Sequence, residues 1–461
     1  MANSAASIID GMRAEAPSLR LYEQSDPEYA ELRRVYNGAL PHKPLVIARP
    51  HSEGEVSNAL KFCSDKSVPV TARSGGHDFF GRSLTDGVVL DMRSMGNVTV
   101  SRDRATACVG GGVIGGALQE ELDRQGLFTP TGQTKSVGYV SWACGGGYGF
   151  YTGLYGLGVD QIVGAKVVIS SGDVVDTDHD PELLWALRGA GAGTVGVVVE
   201  LRVKVYPIPT LYAGILAFPL SEAETVLGRF EQLFAQCEIP DECSGDCLVA
   251  NPAMLGLEGS QPCYAFYFCW AARDGNTGPA KALLQKMVKL GTVVGNTISE
   301  TKPAQFGGGD SSSPTFMRSR NIRSLNRSIG AILARNPLRQ PYSTVVIHNI
   351  HGTGAKQDFT DGIGGIFPNR FGHVILGFHG GTHQAPGADQ DALVQTTAWA
   401  LGLEKEIDAS REALEGGFPS FYSPEAIDPV EFFGAEAAGR LRMLKERLDR
   451  QRIFRSGMQS L

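Results

Sequence analysis

Between residues 43 and 209 short β-branched runs alternate with amphipathic stretches, and most of the joints between them are clusters of glycine. The apolar period switches repeatedly between two and about 3.6, which fits neither a helical bundle nor a repeat array. KPLVIARP, VPVTAR, GVVLDM, ATACV and TVGVVVELRVKVYP read as strands, and IVGAKVVISSGDVVDT as a hairpin about Ser171 and Gly172. HSEGEVSNALKFCSDK reads as a helix, with Ser52 as its N-cap and Val56, Leu60 and Cys63 on one face. ALQEELDRQG and PELLWALRG are also helical, so the class is α+β. Glycine makes up 58 of 461 residues, against a usual share of ~7%. Only glycine enters positive φ freely and brings backbone against a ligand with no Cβ between them. The clusters therefore mark tight turns or a ligand surface.

After Pro209 the character changes. SEAETVLGRFEQLFAQC is an amphipathic helix, CYAFYFCWAA and YSTVVIHNIHG are strands, and FGGGDSSSPTF has the composition of a loop. The arginine-rich MRSRNIRSLNR that follows presents Arg318, Arg320, Arg323 and Arg327, either as a solvated helix face or as a site for an acidic substrate. AAGRLRMLKERLDRQRIF is a helix with Leu441, Leu444 and Leu448 on one face. A net charge of -7 and a pI near 5.8 leave no basic field for nucleic acid. No run approaches the ~20 apolar residues of a membrane helix. The N-terminus lacks a basic region followed by an apolar one, so the expected setting is intracellular, in the cytoplasm. Five of eight cysteines, Cys237, Cys243, Cys247, Cys263 and Cys269, fall close together without a CxxC pair, and are expected to be buried thiols.

Gly110, Gly112 and Gly115 spell the GxGxxG of a dinucleotide turn. That fingerprint wants an acidic residue roughly 20 positions on, yet residues 124–158 contain no carboxylate. The glycines there serve a structural turn. The acid-free stretch, which includes TGQTKSVG and CGGGYG, instead suits backbone nests for a diphosphate, because nothing in it repels one.

ARSGGHDFFG at 72–81, GVVLDM at 87–92, SVGYVSWACGGGYGFYTGLYGLGVD at 136–160, LLWALRGAGAGTVGVVVELRVKVYP at 183–207 and LKERLDRQRIF at 444–454 together resemble one family. It is the para-cresol-methylhydroxylase-type FAD-binding proteins of the vanillyl-alcohol-oxidase family, in their berberine-bridge-enzyme-like branch. The resemblance implies a two-part FAD-binding domain, residues 1–210 and 415–461, around a substrate domain, 211–414, whose antiparallel sheet is covered by helices. It implies FAD attached covalently through one histidine, His77, with Arg73, Ser74, Gly75 and Gly76 along the pyrophosphate. Further cofactor contacts are expected from Gly81, Gly132, Thr134, Val137, Gly138, Cys144, Gly146, Gly147, Tyr148, Gly149, Asp160 and Val199. Thr134 stands where many relatives carry a second tethering cysteine, so a single link is expected. Cys144 stands where the family has a serine, as a small packing thiol on the cofactor side, whereas Phe79 replaces a tyrosine and Phe418-Pro419-Ser420 a Tyr-x-Asn motif, and both of these changes make the pocket more apolar. Ala143 sits where a side chain often controls oxygen access, and its small size leaves room for oxygen.

STVVIHNIHGTG and GHVILGFHGGTH match the pocket strands of the family and bring His348, Asn349, His351, His379 and His383 toward the site. Phe378 aligns with the glutamate base of several relatives. The candidate bases here are His348, His379 and Tyr422, histidine being able to titrate near neutrality. A metal site is disfavoured because His348 and His351, three apart on a strand, face opposite ways. The implied function is an oxidase of a small organic molecule, an alcohol, amine or specialised metabolite, with hydride transfer to flavin N5 and oxygen as acceptor. An FAD-dependent dehydrogenase, a non-oxidative cyclase, a flavin-storage protein and a nicotinamide dehydrogenase remain open.

Overall fold

The computed structural model describes residues 5–235, 239–308, 315–368, 370–382, 390–458 and 461. Ser52 caps helix Glu53–Asp65 by accepting a hydrogen bond from the Glu55 amide, and Val56, Leu60 and Cys63 are buried on its inner face. That face covers a four-stranded sheet ordered Arg20–Tyr22, Val46–Arg49, Val88–Asp91, Val70–Arg73, in which the last three strands run parallel. Beside it lies a five-stranded antiparallel sheet ordered Val98–Val100, Thr106–Gly110, Val197–Lys204, Ile162–Val168, Val174–Asp176. The glycines of the GxGxxG stretch belong to this packing. A Cβ on Gly110 would lie 2.3 Å from the Met95 carbonyl oxygen and one on Gly112 only 1.9 Å from that of Met92.

The residues from 210 to 414 build a nine-stranded antiparallel sheet centred on Thr210–Pro219, Cys263–Ala272, Cys247–Ala250, Thr344–Ile350, His373–Gly381 and Thr315–Ile322. One face is covered by helices Ala223–Phe234, Gly278–Met287, Arg327–Arg335 and Gln390–Asp408, through a core that includes Phe218, Phe266, Phe378 and Leu403. The other face looks toward the glycine loops. Arg318 and Arg320 correct the expectation of an arginine helix: they lie on strand Thr315–Ile322 and pair with Glu404. Their spacing of two is the strand period, and the carboxylates opposite take their charge.

Helix Ala435–Leu448 buries Leu441, Leu444 and Leu448 against the same core as Leu183 and Leu201. Lys445 fixes this junction. Its ammonium donates to the carbonyls of Thr194 (2.6 Å) and Phe454 (2.8 Å) and pairs with the wholly buried Asp449 at 2.8 Å. Cys63, Cys108, Cys144, Cys243, Cys247, Cys263 and Cys269 are free thiols, all buried except the half-buried Cys108, whereas Cys237 lies outside the described residues. No described helix is long and apolar enough to cross a membrane.

Candidate active site

Strand Val70–Arg73 ends in the loop that opens the site. A Cβ on Gly75 would lie 2.2 Å from the Ser136 carbonyl oxygen and 2.6 Å from the Gly138 amide nitrogen, and one on Gly138 would lie 1.9 Å from Ser74 Oγ. The segment after Arg73 and the segment at 136–138 therefore touch backbone to backbone. Gly76, at φ +69, turns the chain so that the next residue, His77, meets Ser136, with Nε2 and Oγ 2.8 Å apart. Tyr36 stacks on the His77 ring, centroids 4.9 Å apart, and its amide donates to the Gly76 carbonyl. The Arg73 guanidinium turns back to the carbonyls of Leu32 and Arg34. Burial lowers its pKa to about 10, and its side chain anchors the 32–34 segment.

These loops border a cavity of about 440 Å³. Of the residues expected to hold a cofactor, Arg73, Ser74, Gly76, His77, Gly132, Thr134, Val137 and Tyr148 line it. The others lie behind the wall. Gly147 packs on Gly158 and Gly149 on Thr131, where a Cβ would come within 2.6 and 2.4 Å of backbone atoms, and a Cβ on Gly146 would meet Phe367 and Phe418. Cys144 is fully buried, its thiol pushed up to about 12 by burial, and its carbonyl accepts the Gly191 amide. Ala143 is likewise buried in the core behind the wall. Gly81 faces His42, Asp160 pairs with Arg370 at 2.8 Å and accepts the Leu157 amide, and Val199 sits in the core beside Val197. Gly75 and Gly138 shape the loops from beneath.

The sequence missed a third glycine segment, residues 189–194, which lines the cavity with Gly189, Gly191 and Gly193 all at positive φ. A Cβ on Gly193 would meet nothing within 4 Å. Its signal was present in GAGAGT, where every second residue up to Gly193 is glycine. Ser456, Gly457 and Met458 bring the end of the chain into the same wall.

The opposite wall comes from the large sheet. Pairing of Thr344 with His379 and of His348 with Ile375 puts Thr344, Val346, His348 and His379 on the cavity side. Phe378, on the other side of its strand, is wholly buried under the helices, so the residue aligned with a glutamate base does not reach the site. His348 and His379 are buried, and desolvation of the charged ring holds their pKa values near 3 and near 4 respectively, His379 adding to the shift on His348. Both imidazoles are therefore neutral at pH 7. His379 Nε2 is buried without a hydrogen-bond partner among the described residues, beside the Phe79 ring. His348 Nδ1 lies 3.3 Å from Gln133 Nε2, and its ring contacts Tyr148 at 3.9 Å between centroids. His351 diverges to the Ser244 carbonyl, and the Asn349 amide donates to Asp246. Tyr422, the third candidate base, donates its hydroxyl to the Ser319 carbonyl at 3.2 Å and is not among the residues lining the cavity. His383 lies outside the described residues. Phe418, Pro419 and Ser420 close the wall between the sheet and the second glycine loop. Asp246, which no motif marked, accepts from Gln133 Nε2 at 2.7 Å.

An unpartnered buried imidazole nitrogen and open glycine segments on one cavity fit an extended ligand that brings its own polar groups. Comparison with known proteins agrees. A family model described as an FAD binding domain matches residues 44–178. The chain is 35% identical over 454 residues to the FAD-linked oxidoreductase aurO of Gibberella zeae, covering 95% of this chain and 85% of that protein. It is 37% identical over 203 residues to (R)-6-hydroxynicotine oxidase of Paenarthrobacter nicotinovorans, 43% of this chain and 44% of that one. The crystal structure of 6-hydroxy-D-nicotine oxidase from Arthrobacter nicotinovorans superposes with a TM-score of 0.78 at 25% identity, over 96% and 97% of the two chains. Berberine bridge enzyme from Eschscholzia californica shares the fold with a TM-score of 0.81 at 17% identity, over 98% of each chain.

Proposed function

Because this chain belongs to the berberine-bridge-enzyme-like FAD-linked oxidoreductases of the vanillyl-alcohol-oxidase and para-cresol-methylhydroxylase family and binds FAD, we propose that it is an oxidase. Its substrate is a small, largely apolar molecule carrying an oxidisable hydroxyl or amine, and oxygen is the acceptor. In this reading residues 1–210 and 415–461 hold the cofactor and 211–414 the substrate. When bound, FAD takes a hydride at N5 and yields its electrons to oxygen as hydrogen peroxide.

The observation that carries the reading is His77 on one wall of a cavity whose other wall bears two neutral, buried histidines. His77 tethers the flavin through its ring, steered by Ser136 and Tyr36, and Thr134 leaves the tether single. The segments at 74–76 and 189–194 take the diphosphate with backbone that carries few side chains. His379 offers its unpartnered Nε2 to the substrate proton that must leave, and His348 orients the same group. Phe79, Phe418, Phe421 and Tyr148 exclude water and favour a flat substrate. The 6-hydroxynicotine oxidase activity named for two of the matches supports oxygen as acceptor.

The test combines a denaturing gel with a peroxide-coupled assay on aromatic alcohols and amines. In-gel flavin fluorescence should persist in the parent and vanish in His77→Ala. His379→Ala should retain flavin and lose peroxide formation by about 10²-fold or more. Protein that stays colourless after reconstitution with FAD refutes the reading. Turnover with a dye but not with oxygen makes the enzyme a dehydrogenase.

A further inference from the structure

Asp246 is 3% exposed, and no cation is recorded against it among the described residues. Its Oδ1 accepts the Asn349 amide at 2.9 Å, and its Oδ2 lies 2.7 Å from Gln133 Nε2, the same amide nitrogen that approaches His348 Nδ1. A single side-chain amide thus bridges a buried carboxyl and a cavity imidazole. We propose that Asp246 is a positioning residue that, through Gln133, decides which ring nitrogen of His348 carries the proton, and so whether His348 offers the cavity a donor or an acceptor. The inference rests on the reading of His348 as a substrate-facing group.

The argument is one of hydrogen-bond polarity. A carboxylate only accepts, so an ionised Asp246 turns the NH2 of Gln133 toward itself, and the second N–H of that group points at His348 Nδ1. Nδ1 must then be the lone-pair nitrogen, and Nε2–H is the donor presented to the cavity. A protonated Asp246 donates instead. A half-turn of the Gln133 amide brings its oxygen between the two neighbours, where it accepts from Asp246 and from His348 Nδ1–H, leaving Nε2 a lone pair. Going from the second state to the first, one proton leaves Asp246 for solvent and the imidazole proton exchanges from Nδ1 to Nε2. The ring stays neutral in both.

The surroundings leave this exchange undisturbed near neutral pH. Burial raises the Asp246 pKa to about 8, against the opposing bonds from Asn349 and Gln133. The titratable groups that feel its charge are Tyr148 from the second glycine loop, Cys243 and Cys247 from the turn and strand around it, and Cys269 from the neighbouring strand. Burial raises all four, with Cys243 at about 12. From the next strand come Asn349, His348, whose pKa is lowered, and His351, whose ring meets the Ser244 carbonyl. The carboxyl therefore ionises above His348 and below Tyr148 and the three thiols.

Nitrogen-15 chemical shifts of histidine in labelled holoenzyme report the tautomer directly, the His348 signals being assigned by their loss in His348→Gln. Between pH 6.5 and 9.5 the protonated nitrogen should change from Nδ1 to Nε2, with a midpoint near 8. Both Asp246→Asn and Gln133→Met should abolish the change, and the pH profile of kcat/KM should lose the corresponding limb while flavin absorbance is unaltered. Should the first variant not fold, the second decides. A His348 tautomer constant across the range in the parent, or a change that persists in either variant, overturns the proposal. The tautomer is read without turnover, so a protein that shows it but makes no peroxide retains this inference and loses the oxidase reading.

Discussion

Replacing Lys445 by methionine should destabilise the protein and loosen one wall of the cavity together. The Lys445 side chain is 7% exposed and its ammonium uses its three N–H groups on Asp449, Thr194 and Phe454, while Asp449 is wholly buried and also accepts the amides of Ile453 and Phe454. Methionine fills most of the volume but leaves a buried carboxylate without a cation. Removing one partner of such a pair costs about 3–5 kcal/mol. The two carbonyls that lose a donor put the variant at the upper end of that range. Unfolding entropy scales with length and is on the order of 1 kcal/mol/K for a chain this long, so Tm should fall by about 3–5 °C. Thr194 ends the glycine segment that lines the cavity, so the FAD bound per protein should fall as well. Lys445→Met combined with Asp449→Asn removes the stranded charge and should recover more than half of the lost Tm. A Lys445→Met protein within about 1 °C of the parent, or a double variant no better than the single, would show that the buried pair does not hold this wall.

Gly75→Ala sets a Cβ against two backbone atoms of the facing loop, so neither loop can relieve it by a side-chain rotation. Flavin content should drop and stability fall by about 1–3 kcal/mol, whereas Gly126→Ala, at φ +65 in open space, should cost only about 1 kcal/mol of left-handed strain and leave flavin content intact. Equal flavin loading in the two variants would refute contact between the loops. His348 and His379 have folded pKa values below the ~6.5 of an unfolded imidazole. The unfolded chain therefore takes up their protons first, and the stability they contribute is present above pH 6.5 and lost as pH falls through about 4 for His379 and about 3 for His348. Each adds a slope of up to about 1.4 kcal/mol per pH unit in that window. His379→Gln should flatten the fall of Tm between pH 6.5 and 4.5, and an unchanged slope would mean that the ring is charged when folded.

The parts of the site legible in the sequence are those whose constraint is local. Gly76 and His77 are adjacent, and a turn at positive φ followed by an imidazole is written in four letters. Ser52 and its helix were readable for the same reason, since a cap acts over three residues. Tyr36, Gln133 and Asp246 were not, because each joins the site across tens or hundreds of positions and nothing beside it in the chain reveals which side chain it meets. The strand bearing Arg318 and Arg320 was misread as a helix because the weight of charge in MRSRNIRSLNR hid an alternation of two. Phe378 and His379 show the limit of alignment on a strand: one position decides between helix core and cavity, and only the pairing of His379 with Thr344 fixes which.

The cavity wall is drawn from residues as distant as Tyr36 and Met458. During synthesis the pocket therefore stays unfinished until the last of these has emerged from the ribosome and the closing helix has docked. FAD binding is then a late event in the life of each molecule, possible only once residue 458 is in place, and riboflavin starvation should accumulate folded, uncoloured chains rather than truncated or aggregated ones.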